Sequence, residues 1–108
     1  MKILLMVLVL SISPVPAQAK PMFTYQQYAL SKVQDHHEFK CLLILWTKES
    51  HWNPKADNPH SSAFGIPQLL NLKETNPYKQ IDRGLKYIVH RYNDACDALN
   101  HHKRKGYY

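Results

Sequence analysis

Residues 41–50, Cys41-Leu42-Leu43-Ile44-Leu45-Trp46-Thr47-Lys48-Glu49-Ser50, open with six apolar side chains and end polar. So short an apolar run suits a buried strand or a buried helix, and periodicity alone does not separate the two. No turn signal divides the run from its polar end. The preferred reading is therefore one helix, apolar nearly all round, at the centre of the domain.

Working outward, Thr24 with Gln27 forms a capping box, and Tyr25, Tyr28/Ala29, Lys32/Val33, His36 and Phe39 recur at helical spacing, which predicts a first helix over about residues 25–39. On the other side, Asn53-Pro54, Asn58-Pro59 and Ser61-Ser62 predict a long surface loop over 51–62. The stretch 63–70 is apolar but interrupted by Gly65 and Pro67, and reads as a tight turn followed by one helical turn. Asn76-Pro77 supplies an N-cap and a proline at the first helical position, and Tyr78, Ile81, Leu85, Ile88/Val89 and Tyr92 mark a helix over 77–92. Gly84 within it permits a close helix crossing. A short helix over about 94–102 and a basic, aromatic tail follow, so the fold class is mainly α, a single domain without internal repeats.

The first residues read as an export signal: Lys2, the apolar run Ile3 to Leu10, breaks at Ser11, Ser13, Pro14 and Pro16, then Ala17-Gln18-Ala19. Cleavage after Ala19 leaves 89 of the 108 residues, a domain over 20–108. The alternative, a retained anchor, needs roughly 20 apolar residues. Fourteen Lys plus Arg against eight Asp plus Glu give a net charge of +6, or +5 without Lys2. The basic residues are dispersed apart from Lys103-Arg104-Lys105, and export removes the usual nucleic-acid partners. An anionic wall or membrane face is the more economical target, with a merely solvated surface as the alternative.

An exported domain this small is close to the limit for one hydrophobic core. Cys41 and Cys96 are available for a disulfide, which would close a loop of fifty-odd residues and remove about 4 kcal/mol of denatured-state freedom. Two buried thiols are the alternative. No metal site is expected: the adjacent pairs His36-His37 and His101-His102 do not face one another on a helix, and HExxH and CxxC are absent.

Chemistry concentrates at Glu49. Leu45 and Trp46 lie four and three residues before it and Trp52 three after, so the carboxyl projects from a partly apolar face. Desolvation there raises a carboxyl pKa and readies it as a general acid, the logic of the catalytic glutamate of lysozyme. Spacing alone favours the alternative, an ordinary helix-end glutamate in water.

The surroundings favour the first reading. Glu49-Ser50-His51-Trp52-Asn53-Pro54, Ser62-Ala63-Phe64-Gly65-Ile66-Pro67-Gln68, Asn76-Pro77, Gln80-Ile81, Gly84-Leu85 and Tyr87-Ile88 occur in that order. In this order they resemble the soluble lytic transglycosylase domain, most closely its small secreted form in aggregation-promoting-factor-like wall proteins. The resemblance spans residues 39–108. It implies a lysozyme-like helical fold with a cleft for peptidoglycan glycan strands, Glu49 as the single catalytic acid/base, and substrate-binding positions at Ser62, Gly65, Ile66, Gln68 and Tyr87. His101 matches a C-terminal histidine of the subgroup. Phe64 stands where tyrosine is usual, and Leu99 where tryptophan is common.

Most glycoside hydrolases need two carboxylates, about 5–5.5 Å apart for retention or about 6.5–9.5 Å for inversion. The acids nearest Glu49 downstream are Asp57 and Glu74, neither at a position with a catalytic match. One carboxyl suffices if the muramoyl 6-hydroxyl is the nucleophile, leaving a 1,6-anhydro end without metal or cofactor. The expected protein is a monomeric, secreted or periplasmic, wall-associated lytic transglycosylase. A lysozyme-type hydrolase, a non-catalytic peptidoglycan-binding module and a basic membrane-active protein are the alternatives.

Overall fold

The computed structural model describes residues 19–108, with side chains from residue 23 onward. The expected leader therefore lies outside the described residues, apart from Ala19. Four helices, α1 (Ala19–Val33), α2 (His36–Ser50), α3 (Pro77–Tyr92) and α4 (Ala95–Lys105), enclose one short hairpin, β1 (Ala63–Phe64) and β2 (Leu69–Leu70). The protein is mainly helical, as the periodicity predicts. Among the described residues no helix is long and apolar enough to cross a membrane.

Two local expectations are corrected. The first helix does not start at the Thr24 box or reach Phe39: α1 runs through Thr24 and ends at Val33. Gln34 turns left-handed at φ 59°, and the Asp35 carboxylate accepts from the Glu38 N–H at 2.9 Å, restarting the chain as α2. An N-cap aspartate with glutamate three residues on opens a new helix more strongly than the weak stripe across it continues the old one. The second correction is at 63–70, which forms an antiparallel hairpin, Ala63 opposite Leu70 and Phe64 opposite Leu69. Gly65 (φ 79°) and Gln68 (φ 53°) take left-handed backbone, which no helical turn accommodates.

The helix over 77–92 forms as expected, the Asn76 side chain accepting from the N–H groups of Tyr78 and Lys79. α4 starts behind an Asp94 cap and runs past 102 to Lys105, where Gly106 at φ 79° closes it. Around the molecule, α2 packs on α1 and α4, and α3 packs on the same two helices. Leu42, Leu45, Trp46, Trp52, Ile66, Ile81, Ile88, Ala98 and Leu99 fill the centre. Each large apolar side chain among them stabilises the fold by about 1.5–3 kcal/mol relative to exposure.

Gly84 makes room for the Trp46 indole and the Pro67 ring rather than for another helix backbone. A Cβ there would lie 2.5 Å from Trp46 Cζ2 and 2.7 Å from Pro67 Cβ. Cys41 and Cys96 form the disulfide, Cα atoms 4.9 Å apart, joining α2 to the first turn of α4. Beside it the Glu38 carboxylate accepts from the Cys96 N–H at 3.1 Å, an anion at a helix N-terminus.

Candidate active site

Glu49 occupies the last turn of α2. The chain leaves the helix through two successive left-handed residues, His51 (φ 52°) and Trp52 (φ 59°), whose N–H groups return to the carbonyls of Thr47 (3.1 Å) and Trp46 (3.4 Å). This Schellman-type ending satisfies the terminal carbonyls and folds Trp52 back under the helix. Its indole is buried, edge-on to Trp46 at 5.2 Å, and donates to the Leu43 carbonyl at 3.3 Å.

The Glu49 side chain keeps only 16 % of its exposure, and its Oε1 lies 3.0 Å from Nε2 of His102 on α4. Burial pushes the carboxyl up to about 7. His102 moves down, through burial first and then through the charges of Lys48 and His101. A contact of 3.0 Å would suit an ion pair, but both shifts oppose charge, so a neutral hydrogen-bonded pair is favoured over the ion pair. Burial is the cause of the Glu49 shift, without a contribution from another carboxylate. Asp57 sits in the exposed loop, and Glu74 accepts from the Asn76 N–H at 3.0 Å.

Ser50, next to Glu49, points inward. Its hydroxyl is buried and reaches the Ile66 carbonyl at 2.6 Å, tying the end of α2 to the hairpin turn. The turn 65–68 is held from every side. The Gly65 N–H donates to the Ala56 carbonyl at 2.8 Å, and the Ile66 N–H to Gln80 Oε1 at 3.0 Å. The fully buried Gln80 also donates to the carbonyls of Pro54 (2.9 Å) and Glu74 (2.8 Å), so one amide joins α3, the loop and the turn. The Tyr108 hydroxyl donates to the Pro67 carbonyl and accepts from the Trp46 indole at 3.1 Å. Burial holds this phenol far above its ordinary range, and the nearby Glu49 charge acts in the same direction.

The residues expected to bind substrate fall into different roles. Ile66 is fully buried, with both backbone groups engaged, and supports the site from beneath. The Gln68 amide donates to the carbonyls of Ala56 (2.9 Å) and Gly65 (3.0 Å), bracing the turn. Gly65 is required by its backbone and by Gln80, whose Cδ would meet an added Cβ at 2.6 Å. Exposed Ser62 accepts from the Asn71 N–H at 3.1 Å and fixes the open end of the hairpin. Tyr87 donates not to Glu49 but to the Tyr108 carbonyl at 3.3 Å, its ring edge-on to Tyr108 at 5.5 Å. It also lines an open concavity of about 860 Å³ between the segment 69–75 and α3, whose lining does not include Glu49.

Sequence reasoning missed His102, Tyr108, Ser50's inward bond and Gln80. His101, the residue singled out, contacts the Tyr107 carbonyl (2.8 Å) and the Tyr92 hydroxyl (3.3 Å), and so holds the tail that carries Tyr108. The signal for His102 was register: Glu49 follows Cys41 by eight residues and His102 follows Cys96 by six, so on helices stapled at the cysteines both side chains lie roughly two turns beyond the staple. The cluster His37, Cys41 and Cys96 has metal-ligand elements, but both sulfurs are committed to the disulfide.

No protein-family model matches this chain, and no curated protein or solved structure matches it.

Proposed function

We propose that this protein is a peptidoglycan lytic transglycosylase with a lysozyme-like helical fold and Glu49 as its sole acid/base. One observation carries the reading: a single carboxyl at a helix end, 16 % exposed and held up to about 7 by burial without a second carboxylate against it. A group with that pKa is both a competent acid and a competent base near neutrality. The export-signal pattern, the disulfide and the basic surplus support a secreted or periplasmic, wall-associated location.

Neutral Glu49 protonates the glycosidic oxygen between N-acetylmuramic acid and N-acetylglucosamine as positive charge develops at the muramoyl anomeric carbon. The resulting carboxylate takes the proton of the muramoyl 6-hydroxyl, whose oxygen bonds to that carbon and closes the 1,6-anhydro ring. Glu49 ends protonated and no water is consumed. In the tautomer with Nε2 protonated, His102 donates to Oε1 and leaves Oε2 to carry the acidic proton. The same N–H stabilises the carboxylate between the two proton transfers, which makes His102 a positioning residue.

The test is digestion of purified peptidoglycan by the oxidised protein, with mass spectrometry of the fragments, for wild type and Glu49→Gln. Wild type should release 1,6-anhydromuropeptides and Glu49→Gln should not. Reducing ends, heavier by one water, would make it a hydrolase. Binding without cleavage by wild type would make it a recognition module.

A further inference from the structure

The concavity between the segment 69–75 and α3 has a chemistry that Glu49 does not use. Its volume, about 860 Å³, falls within the roughly 300–1,000 Å³ of ligand sites. Arg83, Lys86 and His90 line it at spacings of three and four along α3, and Lys73 faces them from the loop. Among the described residues the one acid–base side-chain contact within 4 Å is Glu49 with His102, so Lys73, Arg83 and Lys86 lack a carboxylate partner. Glu74, the acid in the lining, has Oε1 turned to the Asn76 N–H. Leu69, Leu70 and Leu72 add an apolar wall, with Leu70 68 % exposed.

The frame is built before any ligand arrives. The Asn71 N–H bonds both the carbonyl and the hydroxyl of Ser62 at 3.1 Å, and Gln80 holds the Glu74 carbonyl at 2.8 Å. Three unpaired cations beside leucines, on a pre-organised loop, match a ligand that is anionic and aliphatic together. We propose that this concavity binds an acidic peptide, its carboxylates on Lys73, Arg83 and Lys86 and its aliphatic side chains on the leucines.

The identity of that peptide rests on the transglycosylase reading. In peptidoglycan the peptide stem hangs from the muramoyl sugar, the one whose bond Glu49 cleaves, and so must leave the strand beside the site. Tyr87 connects the two regions: it lines the concavity and its hydroxyl bonds the Tyr108 carbonyl, while the Tyr108 hydroxyl accepts from Trp46, one turn before Glu49 on α2. A phosphodiester wall polymer would use the cations but leave the leucines without a partner.

The experiment titrates the oxidised protein with a synthetic stem tetrapeptide bearing free carboxylates, followed by amide chemical shifts, for wild type and Arg83→Gln/Lys86→Gln. Shifts should map to 69–75 and α3, and the double variant should bind roughly tenfold more weakly. A carboxyl-amidated tetrapeptide should lose affinity at least to that extent, because Lys73 loses its partner as well, and salt should weaken the free acid. On intact peptidoglycan the double variant should lose roughly tenfold in kcat/KM, with no loss on glycan stripped of its stems. Shifts elsewhere, equal affinity of the double variant, or binding of a wall phosphodiester polymer in place of the tetrapeptide would overturn the proposal. Tetrapeptide binding at this concavity without cleavage of either glycan would sustain the acidic-peptide site while ending the catalytic reading.

Discussion

Glu49→Gln should make the protein more stable as it makes it inactive, and the gain should appear only at high pH. Glutamine keeps the shape of the carboxyl and cannot ionise. The carboxyl titrates near 4.5 in the unfolded chain and at about 7 in the folded one, so the folded state holds its proton more tightly. Wild-type stability from this group is therefore present below pH 4.5 and lost as pH rises through 7. At about 1.4 kcal/mol per unit the shift corresponds to about 3 kcal/mol above pH 8, and residual solvent contact reduces this to about 2 kcal/mol. His102 acts oppositely: its lowered pKa costs stability as pH falls below about 6.5, in variant and wild type alike. Urea unfolding at pH 4 and pH 8 reads the difference directly. The variant should match wild type within about 0.5 kcal/mol at pH 4 and exceed it by about 2 kcal/mol at pH 8, a Tm gain of roughly 10 °C. An equal difference at both pH values, or a variant less stable at pH 8, would refute the claim that Glu49 is a desolvated carboxyl.

His102→Phe keeps the burial around Glu49 but removes the N–H donor, so the alkaline limb of the kcat/KM profile should move to higher pH while kcat falls; an unmoved limb would exclude His102 from setting the acid. Gly84→Ala sets a Cβ against Trp46 and Pro67, and the overpacking should outweigh the helix-propensity gain by about 1–2 kcal/mol in urea unfolding. Reducing the Cys41–Cys96 bond restores freedom to a 55-residue separation and should lower unfolding stability by about 4 kcal/mol, read by denaturation with and without reductant.

The helices were legible where one local signal stood alone. Asn76-Pro77 and the apolar spacing after it give α3 to the residue. At Asp35 two signals competed, a weak stripe running on to Phe39 and an N-cap followed by Glu38, and the cap prevailed because it satisfies backbone donors that the stripe leaves open. The hairpin at 63–70 was hidden because its rungs are few and its turn is made by distant groups: Ser50, Gln80 and Tyr108 each bond one residue of it. Such long-range bonds leave no period in a sequence. Glu49 was legible through the order of motifs around it, since its apolar neighbours alone favour a solvated helix-end carboxylate, while His102 was not, since its place depends on how α4 packs on α2 once the two cysteines are joined.

That dependence gives the disulfide a second consequence besides stability. Glu49 lies about 12 Å along α2 from Cys41, and His102 about 9 Å along α4 from Cys96, so both rise from the same fixed point in the same direction. The covalent link sets the register of the two helices, and the register places the imidazole against the carboxyl. The end of α2 is also fixed without α4, by Ser50 on Ile66 and by Trp46 on Tyr108. Glu49 is thus desolvated by α4 while its helix is held by the hairpin turn. Breaking the bond should let α4 slide, admit water at His102 and let the carboxyl pKa fall toward its ordinary value, so the alkaline limb of the kcat/KM profile should move to lower pH in the reduced protein; an unmoved limb would separate the staple from the acid.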